Sequence, residues 1–231
     1  MLFTELAREK SAKYWEMSFE HPFIEGLVTG NLSSDVFRYY LLQDRYYLEH
    51  FSKLYLYIAE KTEDKMIREH LKLNAEELKE GEIFIREGFF RDLDITEQEI
   101  SETAIAPTAY HYVSHMYRQL VDGTVNTAIA GMLPCAWLYH EIGLRLIDRG
   151  SSNALYQRWI ETYASEEAAA QIEKECAIIN QLYQESNESE REKMLEAFVI
   201  SSKMEYEFWE MSMNLENGNF SGISEKYRYD L

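Results

Sequence analysis

The stretch FRYYLLQDRYYLEHFSKLY, residues 37–55, decides the fold class. Its large apolar side chains recur at helical spacing, at Phe37, Tyr40, Leu41, Leu48, Phe51 and Tyr55. This pattern predicts a long amphipathic helix whose apolar face packs against other helices. Position 44, in the middle of that face, is Asp44. A carboxylate there is costly unless it is paired or hydrogen-bonded, so Asp44 is either a structural residue with a polar neighbour or part of a site.

The same helical period continues along most of the chain, and almost no segment alternates with a period of two. Helices are predicted over about residues 4–20, 22–29, 33–61, 62–90, 107–121, 124–148, 153–163, 165–186 and 189–215. Thr4 and Thr62 are predicted caps, and residues 101–104 are interpreted as a connector or a helical turn. We therefore expect a single-domain, all-α, multi-helical bundle over residues 1–215. A polar tail, 216–231, should be mobile or packed on a neighbouring chain.

The charge balance limits the possible partners. The 231 residues carry 23 basic and 41 acidic side chains, a net charge of −18. Such a surface repels phosphate backbones and anionic lipid, so no nucleic-acid or membrane partner is expected. The N-terminal segment does not resemble a signal peptide, and no stretch is apolar enough to span a membrane. Cys135 and Cys176, the two cysteines, are interpreted as reduced thiols of a cytoplasmic protein.

A second carboxylate interrupts the apolar face of the last helix. That face runs through Met194, Leu195, Phe198, Ser201, Ser202, position 205, Phe208, Trp209 and Ser212. Position 205 is Glu205. It could belong to an ion pair in the core. However, two buried carboxylates on different helices favour a shared site, where the surroundings can move a carboxyl pKa towards catalytic values.

A third feature is TAIAGMLPCAWLY, residues 127–139. Pro134 lacks an N–H, so the helix should bend there and release the carbonyl of Ala130. Cys135 follows directly, and Tyr139 lies one turn further on the same face. Cys135 is either a buried thiol beside a packing kink or a nucleophile facing an internal pocket.

Tyrosine is abundant, with 17 residues. Most of these must fill the core. Tyr47, Tyr112 and Tyr163 also stand where they could stack on a flat ring and hydrogen-bond its edge.

Motifs for other chemistries are absent. A di-metal carboxylate bundle would need Glu-x-x-His on two helices, and no histidine here has a glutamate three residues before it. His111 and His115 share a helical face but lack an accompanying carboxylate motif. No glycine-rich phosphate loop and no G-x-S-x-G motif occurs. We therefore expect neither a metal nor a nucleotide cofactor.

Several motifs together resemble the TenA/thiaminase II family. They are EHPFIEGLVTGNL (20–32), YYLLQDRYYLEHF (39–51), PTAYHYVSHMYR (107–118), LPCAWLYHEIG (133–143), YASEE (163–167) and FVISSKMEYEFWEMS (198–212). The resemblance covers about residues 1–215. It implies a haem-oxygenase-like helical fold that needs no haem or metal, usually assembled as a homotetramer.

The resemblance also implies an activity and a set of roles. The activity is that of an aminopyrimidine aminohydrolase in thiamine salvage, acting on 4-amino-5-aminomethyl-2-methylpyrimidine and on thiamine. Cys135 would be the nucleophile, Glu205 the acid/base and Asp44 the group that binds the aminopyrimidine edge. The pocket would be lined by Tyr47, Tyr112, Tyr139 and Tyr163. A non-catalytic pyrimidine-binding or regulatory protein of the same fold is the alternative.

Two positions depart from the family pattern. Arg86 stands where some members have histidine, and Ala168 where many have an aromatic residue. Both are expected to alter the mouth of the pocket or a subunit contact, and with it the preferred leaving group.

Overall fold

The computed structural model describes residues 1–218, apart from the side chains of residues 82–84. These residues form helices and no strand, so the all-α prediction is confirmed. The helices are α1 (Phe3–Phe19), α2 (Pro22–Thr29), α3 (Ser34–Lys61), α4 (Lys65–Glu80), α5 (Glu82–Asp92), α6 (Glu97–Glu102), α7 (Pro107–Val121), α8 (Val125–Leu146), α9 (Ala154–Tyr163), α10 (Glu166–Glu185) and α11 (Glu188–Asn214).

The predicted helix over 62–90 is wrong as a single element, because it is divided at Gly81 into α4 and α5. Gly81 has φ −90° and ψ −81°, outside the helical range. A Cβ there would lie 2.8 Å from the carbonyl oxygen of Glu77, so glycine permits the close turn. The start also differs from the prediction. Asp64, not Thr62, accepts hydrogen bonds from the first backbone N–H groups of α4.

Two further boundaries differ from the sequence prediction. Thr96 caps the short helix α6, where only a connector or turn at 101–104 was expected. Helix α1 begins at Phe3, before the predicted cap Thr4. Thr4 instead bonds to Asn180 of α10, since its backbone N–H donates to Asn180 Oδ1 over 3.0 Å. A tertiary contact has taken the place of the local cap.

The core is formed where α11 and α8 pack together, with α1, α3 and α7 against them. Every residue of the predicted apolar face of α3, Asp44 included, is buried. The predicted face of α11 is also buried throughout, with Glu205 only 2% exposed. Helix α8 extends on both sides of Pro134, and Pro134 is buried. Both carboxylates therefore lie inside the bundle.

The predicted polar tail lies mostly outside the described residues. Its first residue, Glu216, contacts the bundle at two points. The Tyr39 hydroxyl of α3 donates to the Glu216 carbonyl over 2.6 Å, and the backbone N–H of Thr108 donates to its carboxylate over 3.0 Å. Across the described helices, none has both the length and the apolar character that crossing a bilayer requires.

Candidate active site

The structure brings all seven predicted site residues into one region of the interior. They come from five helices: Asp44 and Tyr47 from α3, Tyr112 from α7, Cys135 and Tyr139 from α8, Tyr163 from the end of α9, and Glu205 from α11. Five of them are buried, while Cys135 and Tyr163 are partly exposed. The helical periodicity that buried each apolar face thus also directed these polar groups inward.

Cys135, Glu205 and Tyr112 form a hydrogen-bonded group at the centre. The Tyr112 hydroxyl donates to Glu205 Oε1 over 2.5 Å, and the Cys135 thiol donates to the same carboxyl group. A thiol, a carboxyl and a phenol in direct contact can move a proton between them without exposed solvent.

Glu205 has an unusual acidity. Burial raises the pKa of Glu205 to about 8, and the nearby charge of Asp44 acts in the same direction. The hydrogen bonds from Tyr112 and Cys135 lower that pKa in part, because they stabilise the carboxylate. Glu205 can therefore gain and lose a proton near neutral pH, as a general acid/base requires.

Tyrosine and tryptophan rings surround this group. The ring centroids of Tyr47 and Tyr112 are 4.9 Å apart, as are those of Tyr139 and Tyr163. Tyr47 also makes a hydrogen bond with Cys135. The ring centroids of Trp209 and Tyr139 are 5.1 Å apart. The thiol–carboxyl group thus lies among aromatic rings, and such rings can stack on a flat ring.

Asp44 is paired with Arg86 of α5. The guanidinium forms an ion pair with Asp44 Oδ2, and each side chain is 7% exposed. Burial raises the pKa of the Asp44 carboxyl, and the charge and hydrogen bond of Arg86 offset only part of that rise. Arg86 was expected to alter the mouth of the pocket or a subunit contact, and the structure places its guanidinium beside the Asp44 carboxylate. The signal was present in the sequence, because Arg86, Phe89 and Phe90 lie on one buried face of α5.

A solvent-connected cleft of about 630 Å³ reaches Cys135. Its walls come from α3, α4, α8 and the α9–α10 region, and Tyr163 and Ala168 lie along it. Ala168 therefore lines the cleft, where an aromatic side chain would take up part of the space. The thiol is accessible to a small molecule, whereas Asp44 and Glu205 lie deeper.

His115, one of the two histidines that share a face of α7, has the surroundings of a core residue. In the described part of the chain, no group of three or more histidine, cysteine, aspartate or glutamate side chains is arranged to hold a metal ion. His115 is buried and its Nε2 lies 3.4 Å from the carbonyl oxygen of Ala197, as a hydrogen-bonded core histidine does.

The fold and the site define a class: an all-helical bundle in which a thiol–carboxyl pair lies among buried aromatic side chains, with the thiol at a cleft. The TENA/THI-4/PQQC family profile matches residues 8–215, and the chain belongs to this family. It is similar to the aminopyrimidine aminohydrolase of Bacillus subtilis (strain 168), with 39% identity covering 97% of this chain and 95% of the relative. The aminopyrimidine aminohydrolase of Halalkalibacterium halodurans is 28% identical, covering 96% and 100%.

A solved structure agrees with the fold. The TenA homologue protein from P. horikoshii OT3 superposes with a TM-score of 0.84 at 27% identity, covering 93% of this chain and 99% of that one.

Proposed function

We propose that the protein is an aminopyrimidine aminohydrolase of thiamine salvage. It would hydrolyse 4-amino-5-aminomethyl-2-methylpyrimidine to the hydroxymethyl pyrimidine and ammonia, and cleave thiamine to the same pyrimidine and the thiazole. The observation that carries this proposal is the contact of Cys135, Glu205 and Tyr112 among buried aromatic side chains. The names of the relatives support the choice of substrate.

The chemistry begins with the thiol. The Cys135 proton passes to the Glu205 carboxylate, and the sulfur bonds to an electron-poor carbon of the pyrimidine ring. Glu205 gives that proton to a ring nitrogen. The electron pair of the ring then expels the group on the methylene, which departs as ammonia from its protonated form, or as the thiazole. An exocyclic alkene remains.

Water completes the reaction. It adds to the methylene carbon and loses a proton to solvent, giving the hydroxymethyl group. Glu205 then removes the ring proton, the carbon–sulfur bond breaks, and the ring becomes aromatic again. Glu205 returns the proton to Cys135. General acid–base assistance of this kind is typically worth about 10²–10⁴-fold in rate.

Asp44 and the tyrosines would orient the ring. The Asp44 carboxylate accepts hydrogen bonds from the amino group and the ring edge, while Tyr47, Tyr139 and Tyr163 stack against the faces or bond to the edges. Such orientation holds the electron-poor carbon against the sulfur. We also propose that the protein works in the cytoplasm as a homotetramer, by the family resemblance.

The test is ammonia release from the aminomethylpyrimidine, with thiamine cleavage measured in parallel. Wild type should turn over both substrates. Cys135→Ser should be folded by circular dichroism and inactive, while Cys176→Ser, the matched control, should keep its activity. If wild type binds the pyrimidine but releases no product, the chain is a binding protein and the proposal is wrong.

A further inference from the structure

A small recess opens beside the cleft that reaches Cys135. Its volume is about 20 Å³, the space that one water molecule or one hydroxyl group needs. Most of its wall is apolar, contributed by α4, α8 and α10. Tyr55, His70 and Asn74 line both the recess and the cleft, so the two spaces share part of their walls.

The recess has a polar end formed by α3, α4 and α10. Asn74 Nδ2 donates to Glu175 Oε1 over 2.6 Å, and the Tyr55 hydroxyl donates to the same oxygen over 3.3 Å. Asn74 Nδ2 also lies 3.3 Å from His70 Nε2. Burial raises the pKa of Glu175 to about 7 and lowers the pKa of His70 to about 4. This group is separate from the Cys135–Glu205 pair and has no part in the mechanism above.

Two buried polar atoms at this end have no hydrogen-bond partner among the described residues. They are Asn74 Oδ1 and His70 Nδ1, in side chains that are 1% and 6% exposed. Because Asn74 Nδ2 donates to Nε2 of a neutral imidazole, Nδ1 carries the hydrogen of His70. The polar end of the recess therefore has one acceptor and one donor without a partner among the described residues. Buried polar groups of this kind are normally satisfied, which points to a ligand or a water molecule here.

A hydroxyl group matches this arrangement in both size and chemistry. It can donate to Asn74 Oδ1 and accept from His70 Nδ1–H at the same time. The apolar residues nearby, Ile129, Met132 and Leu133, suit the carbon chain that would carry it. An ammonium group would satisfy the acceptors but leave the His70 donor unpaired.

The recess also lies at a suitable place along the cleft. Tyr55 stands eight residues beyond Tyr47 on α3, a rise of about 12 Å. Met132 stands one turn before Cys135 on α8. Along α3, the recess therefore lies about 12 Å from the tyrosines, a distance that a second ring and a short arm attached to the pyrimidine would span.

We propose that Asn74, His70 and Glu175 form a subsite that binds the terminal hydroxyl of the leaving group. The subsite selects pyrimidine substrates whose leaving group ends in a short alcohol arm, as the hydroxyethyl thiazole of thiamine does. This proposal rests on the proposed function for its substrate and deepens it by assigning the leaving-group preference.

The kinetic test compares thiamine with its analogue that has an ethyl group in place of the hydroxyethyl group. Wild type should favour thiamine by about tenfold or more in kcat/KM, since the analogue leaves the two polar atoms unpaired. Asn74→Leu should reduce that preference to about one. Glu175→Gln provides a second, isosteric variant in case Asn74→Leu does not fold. Glu76→Gln, an exposed carboxylate on α4, is the matched charge control and should keep the wild-type preference.

A binding test does not depend on turnover. The free hydroxyethyl thiazole should bind wild type in a calorimetric titration and bind Asn74→Leu at least tenfold more weakly. If wild type cleaves neither substrate but still binds the thiazole alcohol through Asn74, the subsite is supported and only the proposed reaction is wrong. Equal kcat/KM for thiamine and its ethyl analogue in wild type would overturn the proposal and leave the recess as the site of a water only.

Discussion

The guanidinium of Arg86 pairs with the carboxylate of Asp44 in the interior of the bundle, with each side chain 7% exposed. Removing two charges from water is costly, and the pair is stable because each ion offsets the other. The carboxyl group that would hold the aminopyrimidine edge is thus paired and oriented by a residue from a different helix, and Arg86 opposes the rise in its pKa that burial causes. Arg86 is a positioning residue in this arrangement.

Arg86→Met should destabilise the fold by about 3–5 kcal/mol, because it leaves a buried carboxylate without its cation. Burial already raises the pKa of Asp44, and loss of Arg86 raises it further. When the pKa of a carboxyl group is higher in the folded than in the unfolded protein, the free energy of unfolding falls as the pH rises. The loss begins near the pKa of the unfolded protein, about 3.9, and is complete above the pKa of the folded protein. Denaturant titrations should therefore show a larger loss relative to wild type at pH 8 than at pH 5.

The double variant Arg86→Met/Asp44→Asn is the control for that experiment. It contains no buried charge at this point, so it should recover much of the lost stability and its difference from wild type should not depend on pH. If the single variant matches wild type at pH 8, the ion pair does not compensate Asp44 as described.

The pH dependence of catalysis should follow the ionisation of the Glu205 carboxyl group. Below its pKa of about 8, Glu205 is protonated and cannot take the proton of Cys135. We therefore expect kcat/KM to rise with pH up to about 8 and then level off, since kcat/KM follows ionisation of the free enzyme. Glu205→Gln should be nearly inactive at every pH.

Tyr112→Phe tests the assignment of that ionisation. The Tyr112 hydroxyl stabilises the ionised form of Glu205, so its removal raises the carboxyl pKa. The rise in kcat/KM should move to higher pH, and the loss of activity should be greater at pH 7 than at pH 9. An unshifted profile would assign the titration to another group.

The contact between α8 and α9 positions Tyr163. A Cβ on Gly143 would lie 2.7 Å from the backbone carbon of Tyr163 and 2.9 Å from the nitrogen of Ala164. Backbone atoms cannot move aside as a side chain can, so Gly143→Ala should displace Tyr163 and cost about 1–3 kcal/mol. The change should be detected both in the thermal unfolding curve and in the value of KM.

Gly131→Ala is the matched control on the same helix. Its new Cβ would come no closer than 3.4 Å to a neighbouring atom, the Cγ of Gln119. Alanine also favours the helix over glycine by about 0.5–1 kcal/mol. We expect a melting temperature equal to or above that of wild type, with KM unchanged. Equal effects of the two substitutions would show that Gly143 has no special role.

The two cysteines should differ in reactivity. Burial and the neighbouring Glu175 raise the pKa of Cys176 to about 12, so almost none of it is thiolate at pH 8. Cys135 borders the cleft. Brief treatment with iodoacetamide at pH 8, followed by peptide mass spectrometry, should find modification at Cys135 and none at Cys176. Modification of Cys176 first would contradict this.

Helical periodicity was enough to predict the fold class and the burial of the two interrupting carboxylates. It failed at Gly81, because the apolar pattern continues past a residue whose backbone leaves the helix to pass close to Glu77. It failed at Thr4, because the competing partner, Asn180, is 176 residues away. Local patterns cannot identify such distant partners.

The sequence by itself determined that the chain forms helices and that Asp44, Cys135 and Glu205 face inward, because these properties depend on spacing along one helix. Only the tertiary structure decided that Glu205 meets Cys135 and Tyr112, that Arg86 pairs with Asp44, and that Asn74 and Glu175 lie beside the cleft. The physical reason is that a contact between two helices depends on how they pack. The spacing of residues along one helix shows which of its faces is buried, but not which residues of another helix that face will contact.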